Sequence, residues 1–181
     1  MTVQLNLKAD HILEFAFGKV TAGQEAWMFG EYFPAAAPIF ADYDMVRLGG
    51  FAVLGTNFDG VTPDTGAWTG WRSANHRADL HKDPRFVPMI PKRDAAMDVF
   101  SDGHLFETMD EVITLNSDQD YAVILSAAAV EAPIFALQMV PETVSKTYLG
   151  RRLYLRPWSA ADDALMQQSP DEVLVLRIRP Q

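Results

Sequence analysis

The sequence predicts an α+β protein built around an antiparallel sheet, and three observations carry that expectation. Over the first 107 residues, segments dense in β-branched and aromatic side chains alternate with two stretches that open like capped helices. After that point strand-like segments dominate. The chain is 49% hydrophobic and 22% charged over 181 residues, a composition that can bury a substantial core and excludes intrinsic disorder.

Taken in order, residues 11–20 place Ile12, Leu13, Phe15, Phe17 and Val20 in a largely buried strand. Thr21 and Gln24 have capping-box spacing, so a helix is expected to start there and to bury Trp27. Pro34 and Pro38 predict a kinked helix, or two short ones, ending before Asp42. In 45–57, Val46, Leu48, Phe51, Val53 and Leu54 surround Gly49-Gly50, which suits a strand with a bulge or a close backbone approach. Residues 57–66 are turn chemistry (Asp59-Gly60, Pro63-Asp64, Thr65-Gly66), and a short strand at 67–72 completes a hairpin.

Ser73 then caps a helix running toward Lys82, and Asp83-Pro84 opens another. Pro88 and Pro91 keep its pieces short, with 94–100 as its last piece before Asp102-Gly103 turns the chain into a strand at 105–107. Residues 121–127, 133–140, 147–158 and 172–180 favour strands, and one helix is expected at 159–168. The acidic stretch 107–120 reads as a connection, dividing the chain into 1–110 and a β-rich 111–181 region. No residue-level repeat is evident.

The order strand, helix, strand, strand, helix, strand in 11–107 is that of a ferredoxin-like βαββαβ unit, whose open sheet face must be covered. Within it, Thr69-Gly70-Trp71-Arg72-Ser73 leads into a helix that closes at His81-Lys82-Asp83-Pro84-Arg85-Phe86. That segment resembles the dimeric α+β barrel superfamily: small monooxygenase-like, NIPSNAP-like and stress-responsive barrel domains. The resemblance implies two sheets paired face to face, between chains or between fused halves, with functions that vary widely across one fold. The 111–181 region, with three strand-like segments before its one clear helix, reads as a β-rich extension or a degenerate second unit.

The net charge of −9 is local. Residues 94–131 hold nine acids and no Lys or Arg, so the remainder of the chain is neutral, while residues 71–93 are basic by four charges. The overall acidity argues against nucleic acid as a partner, an exclusion that the basic 71–93 region softens. Residues 1–10 carry Gln4, Asn6, Lys8 and Asp10 where a signal peptide would carry its apolar run, and no stretch is long and apolar enough for a membrane span, so a cytoplasmic, membrane-free protein is expected. The absence of cysteine removes disulfides, thiolate metal sites and cysteine nucleophiles, and no metal or cofactor is expected.

The candidate catalytic residues are His76, which Asp79 at a spacing of three could orient, and His104, which could point into a sheet cavity as a base or an axial haem ligand. Against these stand a solvated helix face for His76 and a strand-start position for His104; His11, at the start of the first strand, reads as structural. Asn116-Ser117-Asp118-Gln119-Asp120 opens like a calcium loop but lacks its glycine and its closing glutamate. Ser73, Ser126 and Ser145 sit in no nucleophile elbow. In 147–158, Tyr148, Arg152, Tyr154, Arg156 and Trp158 would share one strand face opposite Leu149, Leu153 and Leu155. Trp27, Trp68, Trp71 and Arg72 are the candidate ligand-binding residues, as core aromatics or as the lining of a small apolar cavity. The expected function is a self-associating, homo-oligomeric binding domain with such a cavity. Its rivals are a cofactor-independent monooxygenase or isomerase acting on an aromatic or polyketide-like substrate, and a haem-handling protein.

Overall fold

The computed structural model describes residues 1–101, 103–142 and 147–181. Asp102 of the expected turn and Ser145 lie outside them. The elements run β1 (Thr2–Leu7), β2 (Ile12–Val20), α1 (Glu25–Trp27), a π-helical turn (Met28–Tyr32), α2 (Phe33–Asp42), β3 (Val46–Thr56), β4 (Thr65–Trp71), α3 (Ala74–Leu80), a 3-10 turn (Val87–Met89) and α4 (Ile90–Ala95). There follow β5 (Met97–Phe100), β6 (His104–Glu107), β7 (Glu111–Asn116), β8 (Tyr121–Ser126), β9 (Phe135–Gln138), β10 (Arg152–Pro157), α5 (Ala160–Leu165) and β11 (Val173–Pro180). The protein is a mixed α+β fold with a large antiparallel sheet and few helices.

The main sheet has the order β5-β2-β4-β3-β11-β8-β10-β9, with β6 also pairing β2. β5 lies along Gly18–Val20 and β6 along Ile12–Phe15, so together they form one interrupted strand beside β2. At the break Ser101 stays tied to Phe17, its hydroxyl accepting the Phe17 N–H at 2.8 Å. The far edge returns to the start: Phe106 bridges Met139, and Val140 N–H donates to Leu105 O at 2.9 Å. The sheet therefore closes on itself as a barrel where β6 meets the end of β9, while β1 and β7 form a separate two-stranded ribbon.

Numbering the strands of each half one to four gives the same spatial order twice. β5/β6-β2-β4-β3 is four, one, three, two, and so is β11-β8-β10-β9. The second half has no helix between its first and second strands, where residues 127–134 cross instead. A short repeat becomes visible in this frame: β4 ends in Trp71 and N-cap Ser73 starts α3, while Trp158 follows β10 and N-cap Ser159 starts α5. In each half a buried ion pair ties the following helix to the sheet. Arg77 Nε meets Glu14 Oε1 at 2.7 Å in the first, and Arg156 Nη2 meets Asp162 Oδ1 at 2.5 Å in the second.

Strand parity sorts the apolar side chains into layers. Leu13, Phe15 and Phe17 of β2, Phe51 of β3, Trp68 of β4, Leu153 and Leu155 of β10, and Leu174, Leu176 and Ile178 of β11 point inward and pack as one cluster. Burying each stabilises the fold by about 1.5–3 kcal/mol. The outer face of the first half packs Trp71 under Met28, Tyr32, Ile39, Leu80 and Phe86 from the helical layer. The outer face of the second half packs Ile124, Tyr154 and Val175 against Trp158, Leu165 and Met166. β8 is buried on both faces, as its unbroken apolar sequence requires.

Several local expectations change. Residues 97–100 form a strand rather than the end of a helix, because β2 offers them a free edge. Residues 111–116 pair with β1 instead of forming a bare connection, and Leu5, Leu7, Ile113 and Leu115 of that ribbon join the inner cluster. A Cβ on Gly49 would lie 3.2 Å from Leu5, so the ribbon crosses β3 at a glycine. The first helix starts at Glu25 and continues through Asp42; Thr21 donates its hydroxyl to Asp98 and is not the cap. Tyr148 precedes β10 and packs inward, leaving Arg152, Tyr154 and Arg156 on the outer parity with Leu153 and Leu155 inward.

The Asp83-Pro84-Arg85-Phe86 element is a polar knot. Asp83 accepts from Arg85 N–H at 2.7 Å, from its guanidinium at 2.7 Å and from Tyr43 OH at 2.9 Å, while Phe86 is buried against Phe40 and His81. The Arg85 side chain, then its backbone N–H, holds the Asp83 carboxyl well below the usual carboxylate range despite burial. A depressed folded-state value means stabilisation that is full above the unfolded value of about 4 and is lost as pH falls below it. Asp83→Asn is expected to lower Tm at pH 7 and to flatten the fall in Tm between about pH 4 and 2, measured by calorimetry against the wild type. Identical Tm-versus-pH slopes would refute this.

Candidate functional site

The structure scatters most of the residues singled out from sequence. Trp68 and Trp71 are three apart on one strand and so face opposite sides, one inside the barrel and the other beneath the helices. Trp27 lies in the helical layer, with the Lys92 ammonium 4.3 Å from its ring centroid. The four candidate ligand-binding residues do not gather around one cavity. His104 points inward at 2% exposure, its ring 6.3 Å from that of Phe17 and 5.5 Å from that of Tyr148. His104 is thus packed among aromatic rings in the barrel interior. His81 is also committed, its Nδ1 at 2.9 Å from Arg77 O, and burial pushes its imidazole pKa down.

The polar residues converge instead at the surface, where β2 begins and β4 and β6 end. His11 closes a tight turn by donating its N–H to Lys8 O at 3.0 Å. Thr108 Oγ1 sits 2.8 Å from His11 O and also reaches Lys8 O, and Ala9 N–H donates to Asp110 at 3.0 Å. The turn is thereby pinned to the segment that follows β6. His11 Nδ1 lies 2.7 Å from Asp10 Oδ1, and this hydrogen bond holds the Asp10 carboxyl below its ordinary value against a smaller effect of burial. With Asp10 accepting the Nδ1 proton, Nε2 becomes the basic nitrogen of an oriented imidazole.

Arg72 follows directly on β4. Its side chain is 67% exposed, and its one ion pair among the described residues is a 4.0 Å approach to Asp44. Asp44 stands between Arg72 and His76, whose Nε2 is 3.9 Å away, and it adopts a left-handed backbone at φ 54°, a conformation that Asp tolerates better than most residues. His76 Nδ1 is 2.8 Å from Ser73 Oγ, which also accepts the His76 N–H as the cap of α3. Asp79, the expected partner of His76, pairs with Lys82.

Two surface clefts of about 530 and 410 Å³ meet at Asp10, His11 and Arg72. The larger is also lined by Ser73, Asn75, Glu107 and Glu142, and the smaller by Asp44. Arg72 is thus the sequence candidate that the site retains, while His76 approaches it only through Asp44. His11 and Asp10 are the residues that sequence reasoning passed over; their adjacency was visible, but nothing local placed Arg72 and Glu107 beside them. No group of three or more acidic or histidine side chains suited to a metal ion occurs among the described residues, and no helix there is long and apolar enough to cross a membrane. The acidic 94–131 segment is partly neutralised by β11: Asp120 meets Arg177 Nη2 at 2.5 Å and Arg179 Nη2 at 2.6 Å. Burial opposes ionisation of Asp120, but the two guanidinium groups outweigh it and hold its carboxyl below the usual range.

No protein-family model matches the chain, and no curated protein matches it.

Proposed function

We propose that this chain is a single-chain counterpart of the dimeric α+β barrel, two ferredoxin-like units fused in one polypeptide, and that it binds a small polar molecule in the cleft around Arg72. The repeated four-one-three-two strand order and the Phe106–Met139 closure support the architecture. Closing the barrel within one chain uses the sheet faces that two copies would otherwise bring together, so the barrel needs no self-association. The observation that carries the function is the exposed Arg72 guanidinium at the junction of two clefts, beside the oriented His11 imidazole. An exposed guanidinium with a weak internal partner is free to exchange it for a ligand's acceptor atoms.

The interior is a poor fit to an apolar ligand because the inward Phe15, Phe51, Trp68 and Phe135 pack against one another. A second reading, a small cofactor-independent enzyme, draws on the Asp10–His11 pair, which could take up and return a proton to a molecule held by Arg72. The test is an NMR titration with acetate, ethylammonium and glycine. At least one should give saturable shifts at the Arg72 side chain and the His11 ring but not at His104, and Arg72→Met should abolish the Arg72-dependent response. Light scattering should give a monomer. If all three compounds leave Arg72 and His11 unmoved, the cleft is not a binding site.

A further inference from the structure

We infer, building on the binding reading above, that the molecule received by this cleft is a small zwitterion whose carboxylate and ammonium group are spaced along a chain. The cleft is charged oppositely on its two sides. Arg72 supplies the cation, and its one ion pair among the described residues is the 4.0 Å approach to Asp44. Glu107 and Glu142 line the same cleft, and no ion pair joins either to a basic side chain among the described residues.

Sheet register fixes the arrangement. Ile12 stands opposite Trp71 on β4 and opposite Glu107 on β6, so these three residues lie abreast on adjacent strands. Two strand spacings separate the Glu107 and Trp71 backbones by about 10 Å. Arg72 follows Trp71 and His11 precedes Ile12, which places His11 between the two charged sides. With Asp10 occupying Nδ1, the His11 Nε2 acceptor is a third point of contact.

The balance of charge selects the ligand class. A simple carboxylate drawn to Arg72 meets repulsion from Asp10, Glu107 and Glu142 in the same concavity. A simple ammonium ion drawn to those acids meets repulsion from Arg72 and leaves the guanidinium unmatched. A molecule carrying both signs satisfies both sides, with its carboxylate against the planar guanidinium fork and its ammonium toward Glu107 and Glu142. The separation between the two sides favours an amino acid whose charges are spaced along a chain over one with both groups on the same carbon.

Glycine, 4-aminobutanoate and 6-aminohexanoate, titrated at fixed ionic strength against acetate and ethylammonium, test this through the Arg72 Nε–Hε and His11 ring resonances. At least one amino acid is expected to bind roughly tenfold tighter than either singly charged control. Arg72→Met should reduce that ligand to the level of ethylammonium, and Glu107→Gln should reduce it to the level of acetate. Both side chains are exposed, so an unchanged backbone spectrum confirms that each variant remains folded. If acetate or ethylammonium binds as tightly as every amino acid, the zwitterion is refuted while the cleft remains a binding site. If no compound shifts either resonance, both readings fall together.

Discussion

Glu14→Ala is expected to destabilise the protein by about 3–5 kcal/mol, a fall in Tm of roughly 6–20 °C for a chain of this size. Glu14 points outward from β2 between the inward Leu13 and Phe15, and its carboxylate is the hub of a buried polar node. It accepts from Arg77 Nε at 2.7 Å, from Trp71 Nε1 at 2.7 Å and from Thr69 Oγ1 at 3.3 Å. Glu14 and Arg77 are 10% and 7% exposed at their side chains. Removing the carboxylate strands a guanidinium and an indole N–H away from water, and that desolvation is the source of the loss. Glu14→Leu combined with Arg77→Met should be closer to wild type than the sum of the single changes, because no uncompensated charge is left behind. Additive single-mutant effects in thermal and urea unfolding would show that the pair is not energetically coupled. The node also explains Gly103: a Cβ there would sit 1.8 Å from Glu14 Oε1, so a larger residue would displace the carboxylate.

Trp68→Ala should cost a similar 3–5 kcal/mol, for a different reason. The indole is 1% exposed inside the barrel, with ring centroids 4.9 Å from Phe15, 5.2 Å from Phe51 and 6.3 Å from Phe135. Truncation removes dispersion contacts on all sides and leaves an apolar void that a rigid, closed sheet cannot collapse to fill. Such voids stay dry and accept apolar guests. Millimolar indole should therefore restore part of the Tm lost by Trp68→Ala and leave the wild type unchanged. A variant as stable as the wild type would mean that the interior is loosely packed around Trp68.

Trp68 and Trp71 also show how much of the fold is legible in the sequence. That Trp68 and Trp71 face opposite ways follows from a spacing of three on a strand, but which of the two faces inward depends on what covers each side. The run Tyr121-Ala122-Val123-Ile124-Leu125 was legible as a strand from composition, but its burial on both faces was decided by the two packed layers. Ser73 was legible as a helix cap because capping is decided within one turn. Residues 97–100 were not legible as a strand, since their pairing with Lys19 and Val20 crosses almost eighty positions. The candidate site was half legible for the same reason. Arg72 stood out locally, whereas His11 acquired a role through Thr108, Asp110 and Glu107, about a hundred residues away.

By itself the sequence determined the α+β class, the antiparallel habit, the inward parity of Leu153 and Leu155, and the concentration of negative charge in 94–131, all of which depend on neighbours within a few residues. The tertiary structure decided how the strands are ordered, and with it everything that followed. It revealed the repeated order of the second half, hidden because its first helix is missing and only Trp158-Ser159 echoes Trp71-Arg72-Ser73. It closed the sheet through Phe106 and Met139 and packed Phe15, Phe51 and Trp68 against one another inside it. It moved the candidate site outside the barrel, because strand ends remote in sequence meet where β2, β4 and β6 stop together. Local propensity fixes which face of an element is apolar; long-range pairing fixes which polar groups are left facing one another at the surface.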